Sequence, residues 1–179
     1  MTRSTSRGFT LVELMITIAV LAVGSMLAYP SFSNVIKSNR VATSTNSLIA
    51  AFNLARSEAI RSNRGAGVCP SKAGTACEGS DWSTGFIAFT DQDGSGGWSA
   101  GDSVLRFFEG NEALTFTAAP GANEPAGNVD VVVFGRSGRA AHAVDFTVKA
   151  TKCKTGEQYQ RQLKVTKPGQ TRLEKQACA

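Results

Sequence analysis

Residues 7–30, RGFTLVELMITIAVLAVGSMLAYP, constrain this chain more than any other stretch. From Phe9 to Tyr29 Glu13 is the only charge in 21 residues. At 1.5 Å per residue that run makes roughly 31 Å of helix, about the thickness of a bilayer's hydrocarbon core. Arg3 and Arg7 precede it without an acid between them, which predicts a membrane-crossing helix with a cytoplasmic N-terminus and everything after Pro30 exported. A secretory signal peptide cut near Ala22 or Ala28 accounts for the same basic start and apolar middle. Two residues speak against it. A carboxylate costs roughly 2.5–3.5 kcal/mol at the centre of an inserted helix, and Met26 is bulky for the position three residues before a cut at Ala28. A Glu that is kept needs a partner, and a cut between Gly8 and Phe9 would create one in a new α-amino group.

Gly8-Phe9-Thr10-Leu11-Val12-Glu13-Leu14 resembles the processing motif of type IV pilins and type II secretion pseudopilins: a short basic leader ending in Gly, then Phe, with Glu as the fifth mature residue. The resemblance implies that a prepilin peptidase cuts between Gly8 and Phe9 and that the Phe9 amine is methylated. It implies that Glu13 places each subunit in a growing filament by pairing with a neighbour's N-terminal amine. It also implies a single-pass inner-membrane protein, N-terminus cytoplasmic and C-terminal domain periplasmic, that joins a filament after processing. Its partners would be other pilin or pseudopilin subunits, the peptidase and the inner membrane. Pro30 lies where pilins often carry a helix-bending proline.

Beyond Pro30, Leu48, Ala51, Phe52, Ala55 and Ala59 recur every three or four residues, while Asn53, Arg56, Ser57 and Arg61 fall on the other side; this is an amphipathic helix. It should end near Asn63-Arg64-Gly65. The rest reads as short strands between Gly, Asp, Ser and Pro, near 66–69, 85–90, 103–108, 113–117, 129–134, 143–149, 161–166 and 171–175. The expected fold is α+β: a long N-terminal α-helix, its first half transmembrane, packed on an antiparallel β-sheet. The segments are a leader over 1–8, a transmembrane half-helix over 9–30, an amphipathic half over 31–64 and an exported β-rich domain over 65–179. Leu54-Ala55-Arg56-Ser57-Glu58-Ala59, Val68-Cys69-Pro70-Ser71, Asp81-Trp82, Gly85-Phe86, Phe89 and Asp91 resemble the GspH/FimT group of minor pilins and pseudopilins.

Cys69, Cys77, Cys153 and Cys178 all follow the apolar run, and separation along the chain favours 69–77 and 153–178 among the three possible disulfide pairings. An oxidising compartment permits both. Zinc would need tight C-x-x-C pairs or histidines, and His142 is the single histidine. No cofactor is expected, and no metal is expected on these thiols. Asp91, Asp93, Ser95, Ser99 and Asp102 occupy positions 1, 3, 5, 9 and 12 of a loop with Gly96 at 6, the spacing of a calcium loop. Its flanks read as strands, and a Gly/Asp-rich hairpin turn explains the same letters.

Catalysis has no support. His142 stands without a nucleophile assignable from local sequence, and Gly135-Arg136-Ser137-Gly138-Arg139 lacks the Lys and Ser/Thr of a phosphate loop and reads as a hairpin turn. From Lys149 to Ala179 eight Lys or Arg face two Glu, so charge is sorted toward one end. Lysines on an edge strand explain this. A phosphate-binding face of Arg161, Lys164, Lys167, Arg172 and Lys175 explains it too. Strand alternation sets Lys164 on the face opposite Arg161 unless a bulge intervenes. DNA-binding members of the group carry Gly-Arg-x-Arg; Gly169-Gln170-Thr171-Arg172 departs from it at Gln170. The sequence thus points to a structural filament subunit, with DNA binding in uptake as the alternative role.

Overall fold

The structure, a computed structural model, describes residues 8–178 except the side chains of 27–31. Residues 1–7 of the expected leader, with Arg3 and Arg7, lie outside the described residues. Contacts divide the chain into units 1–37 and 38–179.

One helix, α1 (Leu11–Ser62), enters both units. Thr10 starts it: its hydroxyl accepts the Glu13 N–H at 3.3 Å, which satisfies one of the helix's first unpaired donors. Glu13 in the first turn also suits the positive end of the helix dipole. In the first unit every side chain from Phe9 to Met26 is exposed, so the helix is apolar on all sides without a core to cover it.

The expectation of a transmembrane first half over 9–30, and of single-pass inner-membrane placement with it, is corrected here. Among the described residues no helix is long and apolar enough to cross a membrane. The apolar run with described side chains, 11–26, gives roughly 24 Å of helix against a core of about 30 Å. It also contains Glu13, and Thr17 and Ser25, whose hydroxyls donate to the carbonyls of Leu14 and Leu21. Farther along, the helix carries a polar face.

In the second unit Val41, Thr45, Leu48, Ala51, Phe52, Ala55 and Ala59 form a buried stripe at the three-four spacing of one helix face. Thr45 is accommodated there because its hydroxyl donates to the Val41 carbonyl at 2.6 Å. The small Ala residues leave room for Phe52, whose ring meets Phe146 at 5.3 Å and Phe134 at 6.3 Å. Trp82 stands edge-on to Phe146 at 4.9 Å, with Nε1 donating to the Val129 carbonyl. The helix stops at Ser62, and Asn63 at φ 54° takes the left-handed position that ends many helices.

Eight strands follow: β1 (Gly65–Pro70), β2 (Gly85–Asp91), β3 (Ser103–Glu109), β4 (Leu114–Pro120), β5 (Val132–Phe134), β6 (Val144–Ala150), β7 (Gln160–Val165) and β8 (Thr171–Gln176). They make two antiparallel sheets, β3-β2-β1-β5 and β4-β6-β7-β8, where a single sheet was expected. The chain changes sheet at Gly110. A Cβ there would lie 2.2 Å from the Thr84 carbonyl carbon, so only glycine allows this close crossing. Asn111 N–H and Phe116 N–H then bond Ser83, steering β4 away from β3 toward β6.

In the first sheet β1 and β2 are buried on both faces. Ala66, Val68, Phe86 and Ala88 join the main core, whereas Cys69, Ile87 and Phe89 form a second cluster with Cys77, Trp98, Val104 and Phe107. Two loops roof this second cluster: 71–79, held by the Cys69–Cys77 disulfide, and 92–101, whose Trp98 stands edge-on to Phe89 at 5.4 Å. The second sheet alternates simply, with Val144, Phe146, Val148, Leu163 and Val165 inward.

Candidate assembly end and basic face

The residues singled out at the N-terminal end share one property, exposure. Phe9 is 79% exposed and Leu11 75%. Glu13 is exposed among them, its backbone N–H used by the Thr10 cap. Thr10 escaped the sequence reading, although Thr-x-x-Glu ahead of an apolar run is a recognisable capping signal. The cap is the work of the Thr10 hydroxyl on the Glu13 backbone N–H, which leaves the Glu13 carboxylate exposed.

Both disulfides lie in the second unit. Cys69 joins Cys77 with Cα atoms 5.6 Å apart, and Cys153 joins Cys178 at 5.9 Å, ordinary separations for the bond. The second bond anchors the end of β8, assisted by Cys178 N–H donating to Glu157 O and Gly156 N–H to Cys178 O.

The basic tail does not present one face. In the unbroken β7–β8 register Arg161 pairs with Lys175 and Lys164 with Arg172. Arg161 shares its side of β7 with buried Leu163 and Val165, while Lys164 and Arg172 occupy the other side. There Lys164 lies 3.6 Å from Glu174. Lys167, in the turn, is drawn to Glu124 at 3.0 Å.

Glu124 is the charged residue that sequence reasoning missed. Its side chain is only 5% exposed, and it accepts the Ala143 N–H at 3.1 Å and contacts His142 Nδ1 at 3.0 Å. These contacts, the Ala143 N–H foremost, then His142 and Lys167, hold its carboxyl at about 2. His142 is thus a clamp residue, tying the 121–129 loop to β6. Only topology brings these groups together, 18 and 43 residues apart along the chain.

The turn 135–139 closes on Gly135 N–H to Arg139 O at 2.9 Å. Beneath it, Arg56 Nη1 donates to Gly169 O at 2.8 Å, joining helix and β7–β8 turn. Arg64, Arg136 and Arg139 line a shallow hollow with Asp91, another grouping without a local sequence signal.

In the 91–102 loop the carboxylates of Asp91, Asp93 and Asp102 converge, their candidate ligand atoms all within 4.8 Å of one another. Asp91 is buried and accepts the N–H groups of Ser95 and Gly96. Asp102 accepts those of Gln92 and Ser99. Ser95, through its hydroxyl and its N–H, and then the Ser99 hydroxyl hold the Asp93 carboxyl below its ordinary range.

This geometry offers a capped apolar end and a disulfide-pinned α+β domain. The family model described as Type II transport protein GspH matches residues 44–169, which is most of the second unit. The chain belongs to the GspH family. Members of that family are structural, non-catalytic subunits of the pilin and pseudopilin kind. The prokaryotic N-terminal methylation motif matches residues 3–29. Two solved structures share the GspH-type fold. The type IV minor pilin FimU of Pseudomonas aeruginosa (strain PAO1) aligns at 22% identity and TM-score 0.52, covering 76% of this chain and 89% of its own. The minor pseudopilin EpsH of the Vibrio cholerae type 2 secretion system aligns at 18% identity and TM-score 0.50, covering 75% and 96%. At such identities the likeness establishes the fold. No curated protein matches the sequence.

Proposed function

We propose that this subunit enters a pilus or secretion pseudopilus as a minor component, after a prepilin peptidase cuts between Gly8 and Phe9 and the Phe9 amine is methylated. The observation that carries the reading is Glu13, an exposed carboxylate in the first turn of a helix whose apolar side chains from Leu11 to Met26 are exposed on every side. Apolar surface left in water is unfavourable by about 25 cal/mol per Å², so these residues call for neighbouring helices of the same kind. Packing them would strip water from Glu13 as well, and a buried charge without a counter-charge is costly. A neighbour's new N-terminal amine offsets that cost only when the two helices sit in one register. Burial supplies the affinity and the ion pair supplies the alignment. The methylation motif over 3–29 supports the same cut.

The test is recovery of the chain with the other pilin-type subunits. Wild type should co-purify with sheared filaments or cross-link to its partner subunits, and Glu13→Ala should be recovered at a tenth or less of that level while the second unit keeps its melting temperature. Equal recovery of the variant would remove the registering role from Glu13. No comparable observation favours DNA as a partner, since the five basic residues divide between two sides of the sheet and one turn.

A further inference from the structure

We propose that the free edge of β8 is a docking strand for an extended acidic segment of a neighbouring pilin-type subunit. The inference rests on the reading of this chain as a filament subunit, and it names a surface and the chemistry of its partner. Ala150 N–H donates to Tyr159 O between β6 and β7, and the β7–β8 turn closes with Thr166 N–H on Gln170 O. Antiparallel pairs alternate between bonded and unbonded, so along the unbroken register it is Arg172, Glu174 and Gln176 that bond β7. The N–H and C=O groups of Thr171, Leu173 and Lys175 point the other way, off the sheet. Among the described residues the three other edges are broken or covered. β3 has a register shift opposite Ala88 and Phe89, and β4 gives its Phe116 N–H to Ser83 Oγ. β5 is three residues long, and its Val133 carbonyl takes the Ala141 N–H.

The edge of β8 is also held in place. The Cys153–Cys178 disulfide ties its far end, Arg56 on Gly169 O ties its turn, and the Gln176 amide bonds both Gln160 and Gln162 on β7. A strand fixed in advance loses little freedom when a partner joins it. Leu173 lies on the side of buried Leu163 and is still 41% exposed, so an added strand has apolar surface to cover. Charge selects the occupant. Arg161, Lys164, Arg172 and Lys175 line the edge, and Glu174, the acid among them, is already beside Lys164. A second copy of β8 brings the same positive excess, whereas an acidic segment meets it with the opposite sign. Main-chain bonds would supply the affinity and these side chains the choice, as in other strand additions.

The full chain, dispersed in a non-ionic detergent that covers the apolar side chains of residues 9–26, is mixed with a peptide of alternating Glu and Val about seven residues long, the length of an ordinary strand. Residue-resolved hydrogen exchange should slow at least about tenfold at Thr171, Leu173 and Lys175 and stay unchanged in β1 and β2. A peptide of Glu-Pro-Pro repeats with the same charge lacks the N–H groups of a strand and should protect nothing. Leu173→Pro removes an N–H that faces off the sheet, a place where edge strands accept proline, and should abolish the protection; Leu173→Ala keeps the N–H and should retain it. Arg172→Glu with Lys175→Glu should transfer binding to a peptide of alternating Lys and Val. In cells, Leu173→Pro should join sheared filaments at about a tenth or less of the level of Leu173→Ala, for want of the main-chain bonds. No protection at millimolar peptide, equal protection by the Glu-Pro-Pro peptide, or equal recovery of the two Leu173 variants would overturn the proposal. So would protection without peptide that rises with protein concentration, which would assign the edge to a second copy. The exchange measurement needs no filament, so its failure leaves the Glu13 test standing, and failure of the Glu13 test leaves the exchange result standing.

Discussion

Glu124 shows how much one side chain does here. Its carboxyl is held at about 2, below its ordinary 4.5, by the Ala143 N–H, His142 and Lys167. A depressed carboxyl contributes stability that is fully present above the unfolded value and is lost as pH falls through the folded one. Wild type should therefore lose thermal stability between about pH 4.5 and pH 2, and Glu124→Gln should be less stable at neutral pH with a flatter profile across that window. Melting curves over a pH series check this, and parallel profiles would contradict the clamp. The sequence shows His142 as a solitary base because its partner lies 18 residues away in an irregular loop. Glu13 was legible for the opposite reason. A charge inside an apolar run stands out without any knowledge of the fold, whereas the Thr10 cap on its N–H was missed although the Thr-x-x-Glu spacing signals it.

At the scale of elements, periodicity carried the most information. The stripe Leu48, Ala51, Phe52, Ala55 and Ala59 is the buried face of α1, and each of the eight expected strands has its counterpart within about three residues of the stated ends. The division into two sheets was not legible, because it depends on the backbone crossing at Gly110 over Thr84, a close approach with no periodic signature. The membrane-crossing half was read from hydropathy and is not found among the described residues. Packing makes two predictions here. Phe52→Ala should cost about 3–5 kcal/mol in denaturant unfolding, since its ring joins α1 to both sheets through Phe134 and Phe146. Cys178→Ser removes a bond of sequence separation 25, worth about 3.5 kcal/mol in the chain-entropy model. Hydrogen exchange should rise first in β8 and spare β1 and β2, which the Cys69–Cys77 side supports separately. Uniform acceleration across both sheets would contradict that division.

For the molecule as a whole, the two ends have different work: an apolar, capped helix end that calls for other subunits, and a disulfide-pinned domain of the GspH family. The sorting of positive charge to the tail was visible in the sequence, but its consequence was not, because strand register decides where the charges point. Five phosphate contacts would give a salt dependence of about −4.5 in log–log slope. With Arg161 and Lys175 on one side, Lys164 and Arg172 on the other and Lys167 engaged by Glu124, duplex binding across a salt series should stay well below that, and a slope near −4.5 would contradict the split. The central claim, that this is a processed filament subunit, is tested most directly by the intact mass of the chain recovered from filaments. The account predicts a chain that begins at Phe9 and is one methyl group heavier than the unmodified sequence 9–179, whereas a chain that retains residues 1–8, or begins near Ala22 or Tyr29, would contradict it.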